Sequence, residues 1–320
     1  MGKTLGGAAL AAVLFVAGAS MADDLPVWAF TDNPPGPKPA APADDGSVKH
    51  VANSTVGLTL AQVRDAFNVP DWHPDNHPAT PDIVMHGRKP AVISCGYCHL
   101  PNGQGRPENA GLAGLPAAYI AQQIADFRAG ARVSSNPKLV PPSLMDSIAK
   151  AATDEEVKAA AEYFAGLTPK PWIRVVEAAK VPRTHVAGYM LVPDADGGTE
   201  PIGARIVETP ENVGETELRD SGSGFVAYVP PGSIARGERL VKTGGGKTTA
   251  CGTCHGVDLK GLGPVPRLAG RSPSYIARQL YDFQHGARAG LWSPLMAGVV
   301  RDLKPADIVD IVAYTASRQP

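Results

Sequence analysis

Apolar residues return at helical spacing in two stretches of this chain, and the two stretches are near copies. Residues 119–132 read Tyr-Ile-Ala-Gln-Gln-Ile-Ala-Asp-Phe-Arg-Ala-Gly-Ala-Arg, and residues 275–288 read Tyr-Ile-Ala-Arg-Gln-Leu-Tyr-Asp-Phe-Gln-His-Gly-Ala-Arg. Ile120, Ile124 and Phe127 share one helical face, as do Ile276, Leu280 and Phe283, so each stretch predicts an amphipathic helix. Gly130 and Gly286 follow the last apolar position and close these helices. A further helix ends each copy. Thr153-Asp154-Glu155-Glu156 forms a capping box before residues 157–167. Lys304-Pro305-Ala306-Asp307 opens residues 308–317, with Pro305 suited to a first turn. Tyr163 and Tyr314 occupy matching places. A repeat of this size marks two copies of one structural unit.

Outside the repeats the pattern changes. Residues 59–67 predict a short amphipathic helix with Thr59 as N-cap. Residues 189–192 and 224–229 are strand-like, with residues 194–198 as a turn after the first. His73 and His77 stand four apart, but Pro74 between them argues for a surface loop rather than a metal-binding helical face. Residues 23–57 are rich in Pro, Ala and Asp, a composition that reads as an extended, partly mobile arm. Before it, Lys3, the apolar run at residues 8–17 and Ser20-Met21-Ala22 read as an export signal cleaved near Ala22. That run is too short and too rich in Gly and Ala to favour a retained anchor.

Composition narrows the class. Of 320 residues, 43% are hydrophobic and 19% charged, which fits a globular chain. The 31 prolines and 35 glycines point to long structured connections between small helical units. The formal net charge is −1 and no basic stripe appears, so nucleic acid is not an expected partner.

The chemistry lies in two five-residue motifs. Cys95-Gly96-Tyr97-Cys98-His99 and Cys251-Gly252-Thr253-Cys254-His255 both read C-x-x-C-H, the attachment pattern of a c-type haem. Two thiols three positions apart on one helical turn can each form a thioether with a haem vinyl group, and the next residue offers an imidazole to the iron. A zinc knuckle and a thiol redox pair are the alternatives. The motifs use all four cysteines of the chain, so none is spare to complete a zinc site. In each copy the repeated Tyr follows the motif histidine at equal distance, from His99 to Tyr119 and from His255 to Tyr275. Between the middle and last helices each copy presents a Pro-containing loop with one methionine, at Pro141-Pro142-Ser143-Leu144-Met145 and Trp292-Ser293-Pro294-Leu295-Met296. A thioether is a soft, neutral ligand suited to low-spin haem iron, whereas a methionine in general fills core space. Recurrence at the same place in both copies favours Met145 and Met296 as the axial ligands opposite His99 and His255.

With helix, C-x-x-C-H, loop, helix, Met loop and helix in order, each copy resembles a class I cytochrome c domain, and the pair is similar to two-haem cytochromes of the cytochrome c4 type. The expected fold is mainly α: a signal peptide at 1–22, an arm and short helix at 23–79, cytochrome domains at 80–167 and 233–320, and a long, partly β or irregular connecting segment at 168–232. The resemblance implies two covalently bound haems c in a periplasmic carrier of single electrons, or in the cytochrome subunit of a dehydrogenase. Expected partners are redox proteins: a dehydrogenase or quinol-oxidising complex on one side and a terminal oxidase or reductase on the other. A partner could also hold the chain at the membrane surface. The alternative is a catalytic two-haem enzyme, such as a thiosulfate dehydrogenase or a cytochrome c peroxidase. The family also implies a prolyl carbonyl that accepts the proximal imidazole N–H. Pro264 is the candidate in the second copy; Glu108 aligns with it in the first, with Pro107 one residue off.

Overall fold

A computed structural model describes residues 25–32 and 43–320, so the expected signal sequence lies outside the described residues. Ahead of the first repeat stands α1 (Leu60–Val63), where the Thr59 hydroxyl accepts from Gln62 N and the Gln62 side chain accepts from Thr59 N. Then come α2 (Asp82–Met85), α3 (Cys95–His99), α4 (Ala117–Arg128), α5 (Val140–Ala151) and α6 (Asp154–Gly166). The capping box at Thr153 and Glu156 is formed. Gly130, just past α4, takes φ +67, a left-handed position that glycine adopts without a Cβ clash.

The connection is built from β1 (Ile173–Glu177), β2 (Lys180–Pro182), β3 (Thr184–Ala187), β4 (Met190–Pro193), β5 (Thr199–Pro201), β6 (Val207–Pro210), α7 (Val213–Glu217) and β7 (Phe225–Val229). The expected strands appear as β4 and β7. β7 is central in a three-stranded sheet, parallel to β1 and antiparallel to β6. β2 pairs with β5 and β3 with β4, both antiparallel.

The second repeat comprises α8 (Ser233–Thr243), α9 (Gly252–His255), α10 (Pro273–Gln284), α11 (Ser293–Val300) and α12 (Pro305–Ala316). Ile308, Val312 and Ala313 of α12 are fully buried in its core with Val241, Ala277 and Val300. α8 crosses α12 at Gly237, where an added Cβ would overlap the Asp310 carbonyl oxygen. Beside the crossing, Arg236 grips the Asp310 carboxylate through Nε at 2.8 Å and Nη2 at 2.9 Å. The first repeat has only the single turn of α2 at this place. There Ile83 and Val84 pack with Ala160, Ala161 and Phe164 of α6.

The expectation of an extended arm is corrected at its described start. Trp28, Ala29 and Phe30 are buried in the core cluster of the second repeat. Phe30 meets Tyr281 edge-on at 6.2 Å, and Arg278 Nη1 donates to the Ala29 carbonyl at 2.8 Å. Three apolar residues inside a Pro-, Ala- and Asp-rich stretch are enough to anchor it, because each aromatic ring removes a large apolar area from water.

Candidate cofactor sites

His99 and His255 end the single helical turns of the two motifs and are both buried. His99 Nδ1 lies 2.8 Å from the Ala110 carbonyl oxygen, and His255 Nδ1 lies 2.7 Å from that of Pro266, eleven residues on in each case. A carbonyl oxygen only accepts, so each Nδ1 carries the proton and each Nε2 keeps its lone pair for a metal. Burial pushes both imidazoles below their ordinary pKa, which favours this neutral, ligating form.

This pairing corrects the expectation for Pro264, Pro107 and Glu108. Backbone bridges join Arg106 to Asn109 and Leu262 to Val265, so those three residues sit within tight turns. The chain faces the imidazole only on its way back, at Ala110 and Pro266. No prolyl ring is needed, since the acceptor is a backbone carbonyl.

All four cysteines are unpaired. Burial pushes the Cys95 thiol up to about 12 and the Cys251 thiol up to about 11, and it raises Cys98 as well. Such thiols are protonated at neutral pH, unlike the low-pKa thiolate of a redox pair. Among the described residues no group of three or more His, Cys, Asp or Glu side chains is arranged to hold a metal ion.

His99 and Met145 line one cavity, walled by Leu115, Ile120 and Phe127 and closed by Arg271 and Tyr275 of the second repeat. Met145 lies on α5 and Met296 on α11, so the expected methionine loops are helices. Pro141, Pro142 and Pro294 stand in the opening turns, where a missing N–H costs no hydrogen bond. Met296 packs half-buried against the second core, as does Cys251.

Between the repeats lies a network whose members were visible as matching residues but whose meeting was not. Arg132 donates to Gln123 Oε1 (2.9 Å) and Gln279 Oε1 (3.0 Å). Arg288 donates to the same two oxygens at 2.6 and 3.2 Å. The two arginines also pair through their backbones. Burial pushes the Tyr275 phenol up, but the guanidiniums of Arg132, Arg271 and Arg288 outweigh it and bring the phenol below its ordinary pKa. Arg271 Nε is buried with no hydrogen-bond partner beside the His99 cavity. A haem carries two propionates, and this cationic wall suits them. With a free imidazole lone pair, neutral thiols and apolar walls, the residues fit a c-type haem.

No family model matches the chain. It is 28% identical over 235 residues to the thiosulfate dehydrogenase electron acceptor of Stutzerimonas stutzeri, covering 72% of this chain and 82% of the relative. Over 146 residues it is 30% identical to cytochrome c4 of Azotobacter vinelandii, covering 41% of this chain and 67% of that protein. The chain belongs to the two-haem class I cytochromes c. Among solved structures, thiosulfate dehydrogenase (TsdBA) from Marichromatium purpuratum matches the cytochrome with a TM-score of 0.50 at 26% identity, over 74% of this chain and 39% of that one. The cytochrome carries two covalently bound haems c and transfers electrons. Among its described residues no helix is long and apolar enough to cross a membrane.

Proposed function

We propose that Cys95 and Cys98 attach one haem and Cys251 and Cys254 the other, with His99 and His255 as proximal and Met145 and Met296 as distal iron ligands. The observation that carries this reading is the shared setting of the two imidazoles, each held by a carbonyl eleven residues on with Nε2 free. The Ala110 and Pro266 carbonyls fix the tautomer and orient each ring. Arg132 and Arg271 offer charged donors to the propionates, and the aliphatic walls keep water away. When bound, haem iron accepts and releases one electron, and a thioether opposite imidazole raises its potential.

The haem domains are residues 80–167 and 233–320, joined by residues 168–232, which provide no iron ligand. In support, His185 on β3 is exposed and pairs with Asp194 at 2.9 Å. Met190 is buried against Trp172 and Phe225 and accepts from Arg106 Nη2 at 3.1 Å. The chain works in the periplasm after cleavage near Ala22, taking electrons from a dehydrogenase and passing them to a further redox protein. The relatives' names support a dehydrogenase as the donor.

A pyridine haemochrome assay on the holoprotein should give two haems per chain, and Cys254→Ala should remove one. The oxidised protein should show the near-infrared band of iron–thioether coordination, of which Met296→His abolishes about half. Full retention of that band in both Met145→Ala and Met296→Ala would overturn the ligand assignment. Purified thiosulfate dehydrogenase of Stutzerimonas stutzeri, supplied with thiosulfate, should reduce both haems.

A further inference from the structure

The two motif loops have the same length and turns, yet protein covers one and leaves the other bare. Between Thr253 and Pro264 eight positions are exposed, whereas every counterpart between Tyr97 and Glu108 is buried or half-buried. The cover on the first loop is the connection. Arg219 lies over the Tyr97 ring at 3.7 Å and donates to the Tyr97 carbonyl at 2.7 Å. Asn102 Nδ2 donates to Ser221 O and Gln104 Nε2 to Ser223 O, each at 2.8 Å. The covering segment is pinned in turn from residues ahead of the motif. Trp72 Nε1 donates to Leu218 O, and His73 Nε2 meets Asp220 Oδ1, again at 2.8 Å each.

Among the described residues the connection lays no such cover over the second loop, where Lys260 Nζ donates to the Pro320 carbonyl at 3.1 Å. Val257 is 97% exposed and Leu262 61%. The segment that carries Met296 is equally bare: Leu291, Trp292 and Leu295 are exposed, the last at 68%. Large exposed apolar residues therefore gather on the two segments that hold the second repeat's thiol, imidazole and thioether. Exposed large apolar residues gathered in this way mark an interaction site. The nearby charges are mixed, with Asp258 and Lys260 on the loop and Arg301 paired to Asp302 at 3.6 Å.

We propose that the second repeat is the electron portal of this protein, and that its bare loop and the Leu291–Leu295 segment dock the apolar cofactor edge of the electron-donating dehydrogenase. The proposal rests on the haem assignment above. On the first repeat the motif loop is already seated by residues 219–223, so that only its methionine segment, with Leu144 43% exposed, stays open to a donor. Mixed charge around an apolar centre selects a partner by shape and burial and not by long-range steering. One electron leaves the donor's reduced cofactor and is received at the second repeat; no bond forms and no proton moves.

The test uses the holoprotein, with thiosulfate dehydrogenase of Stutzerimonas stutzeri as protein donor and a light-reduced neutral flavin as small donor. Leu262→Glu with Leu295→Glu should slow reduction by the enzyme about tenfold or more, since a carboxylate is then buried unpaired in the encounter. Haem content and potentials should stay unchanged, with flavin reduction altered by less than about threefold. Val133→Glu with Leu144→Glu, on exposed sites of the first repeat, should leave enzyme reduction within about twofold of the wild type. Raising salt to physiological strength should change the wild-type rate by less than about threefold. Equal slowing by the first-repeat pair, or none by the second-repeat pair, overturns the portal. An enzyme unable to reduce the wild-type chain overturns the dehydrogenase as occupant. A wild-type dimer that the second-repeat pair dissociates assigns the patch to a second copy and also overturns the proposal. Failure of the underlying haem assignment reads out separately, as fewer than two haems per chain.

Discussion

The two repeats carry matching motifs in the same order and are stabilised in different ways. In the second, the eleven-residue helix α8 crosses α12 closely enough that only glycine fits at position 237. Its core is continuous from α8 through α10 to α12 and takes in Trp28 and Phe30 from the N-terminal segment. In the first, α2 is a single turn, and residues of the connection hold the motif loop, Arg219 on Tyr97 and Met190 on Arg106. The second repeat packs its own long helices with the N-terminal segment and the connection, on faces that leave its motif loop open. The other is supported from outside, and the support closes its loop. A small helical unit of this size has little surplus stability, so where it finds its missing contacts also decides which faces remain free for a partner.

The contrast breaks most severely at the helix crossing. Gly237→Ala should destabilise the second repeat by about 4 kcal/mol, because the clash is with backbone and the ~1 kcal/mol gain in helix propensity does not offset it. Thermal unfolding of the holoprotein would show it, and an unchanged midpoint would mean that α8 and α12 are further apart. Next is the N-terminal segment. Phe30→Ala should cost about 3 kcal/mol, within the usual range for a buried phenylalanine, and should act on the second repeat alone. A smaller change sharpens the other side. Arg219→Ala removes a cation–π contact and a hydrogen bond, about 1–2 kcal/mol together. Amide exchange should then accelerate at residues 95–104 and stay constant at residues 251–260; equal acceleration in both loops would show that the cover is not local.

The smallest effect concerns the anchor between the connection and the second repeat. Glu208 is buried on β6 and accepts from Ser272 Oγ at 2.8 Å and from Ser274 N at 3.2 Å, at the start of α10. Burial raises its pKa above the ordinary carboxylate value, and the serine donors offset this only in part. The folded state therefore holds the proton to higher pH than the unfolded chain does. Wild-type stability falls as pH rises from the ordinary range through the raised value, and is level outside that window. Relative to wild type, Glu208→Gln should gain stability across the same window. A difference in unfolding free energy that stays flat from pH 4 to pH 8 would contradict the raised value.

Short-range features were legible in the sequence by itself. The caps at Thr59 and Thr153, the closing glycine at 130, the strands β4 and β7 and the repeat all depend on residues within a few positions of each other. The two C-x-x-C-H motifs are equally local, and they identify the cofactor because attachment chemistry demands that spacing. Even locally one inference failed: prolines near Met145 and Met296 suggested loops, whereas proline in a first helical turn is favourable. What tertiary structure alone decided has longer reach. The Ala110 and Pro266 carbonyls meet their imidazoles because a tight turn reverses the chain, not because of their side chains. Arg288 reaches Gln123 across 165 residues, Asn102 reaches Ser221 across 119, and Arg278 reaches Ala29 across 249. Nothing in a local pattern specifies such pairs, since each depends on how whole elements pack and on which buried donor finds an acceptor there. The repeat was written in the sequence; which of its two copies stays open was settled by where the connection came to lie.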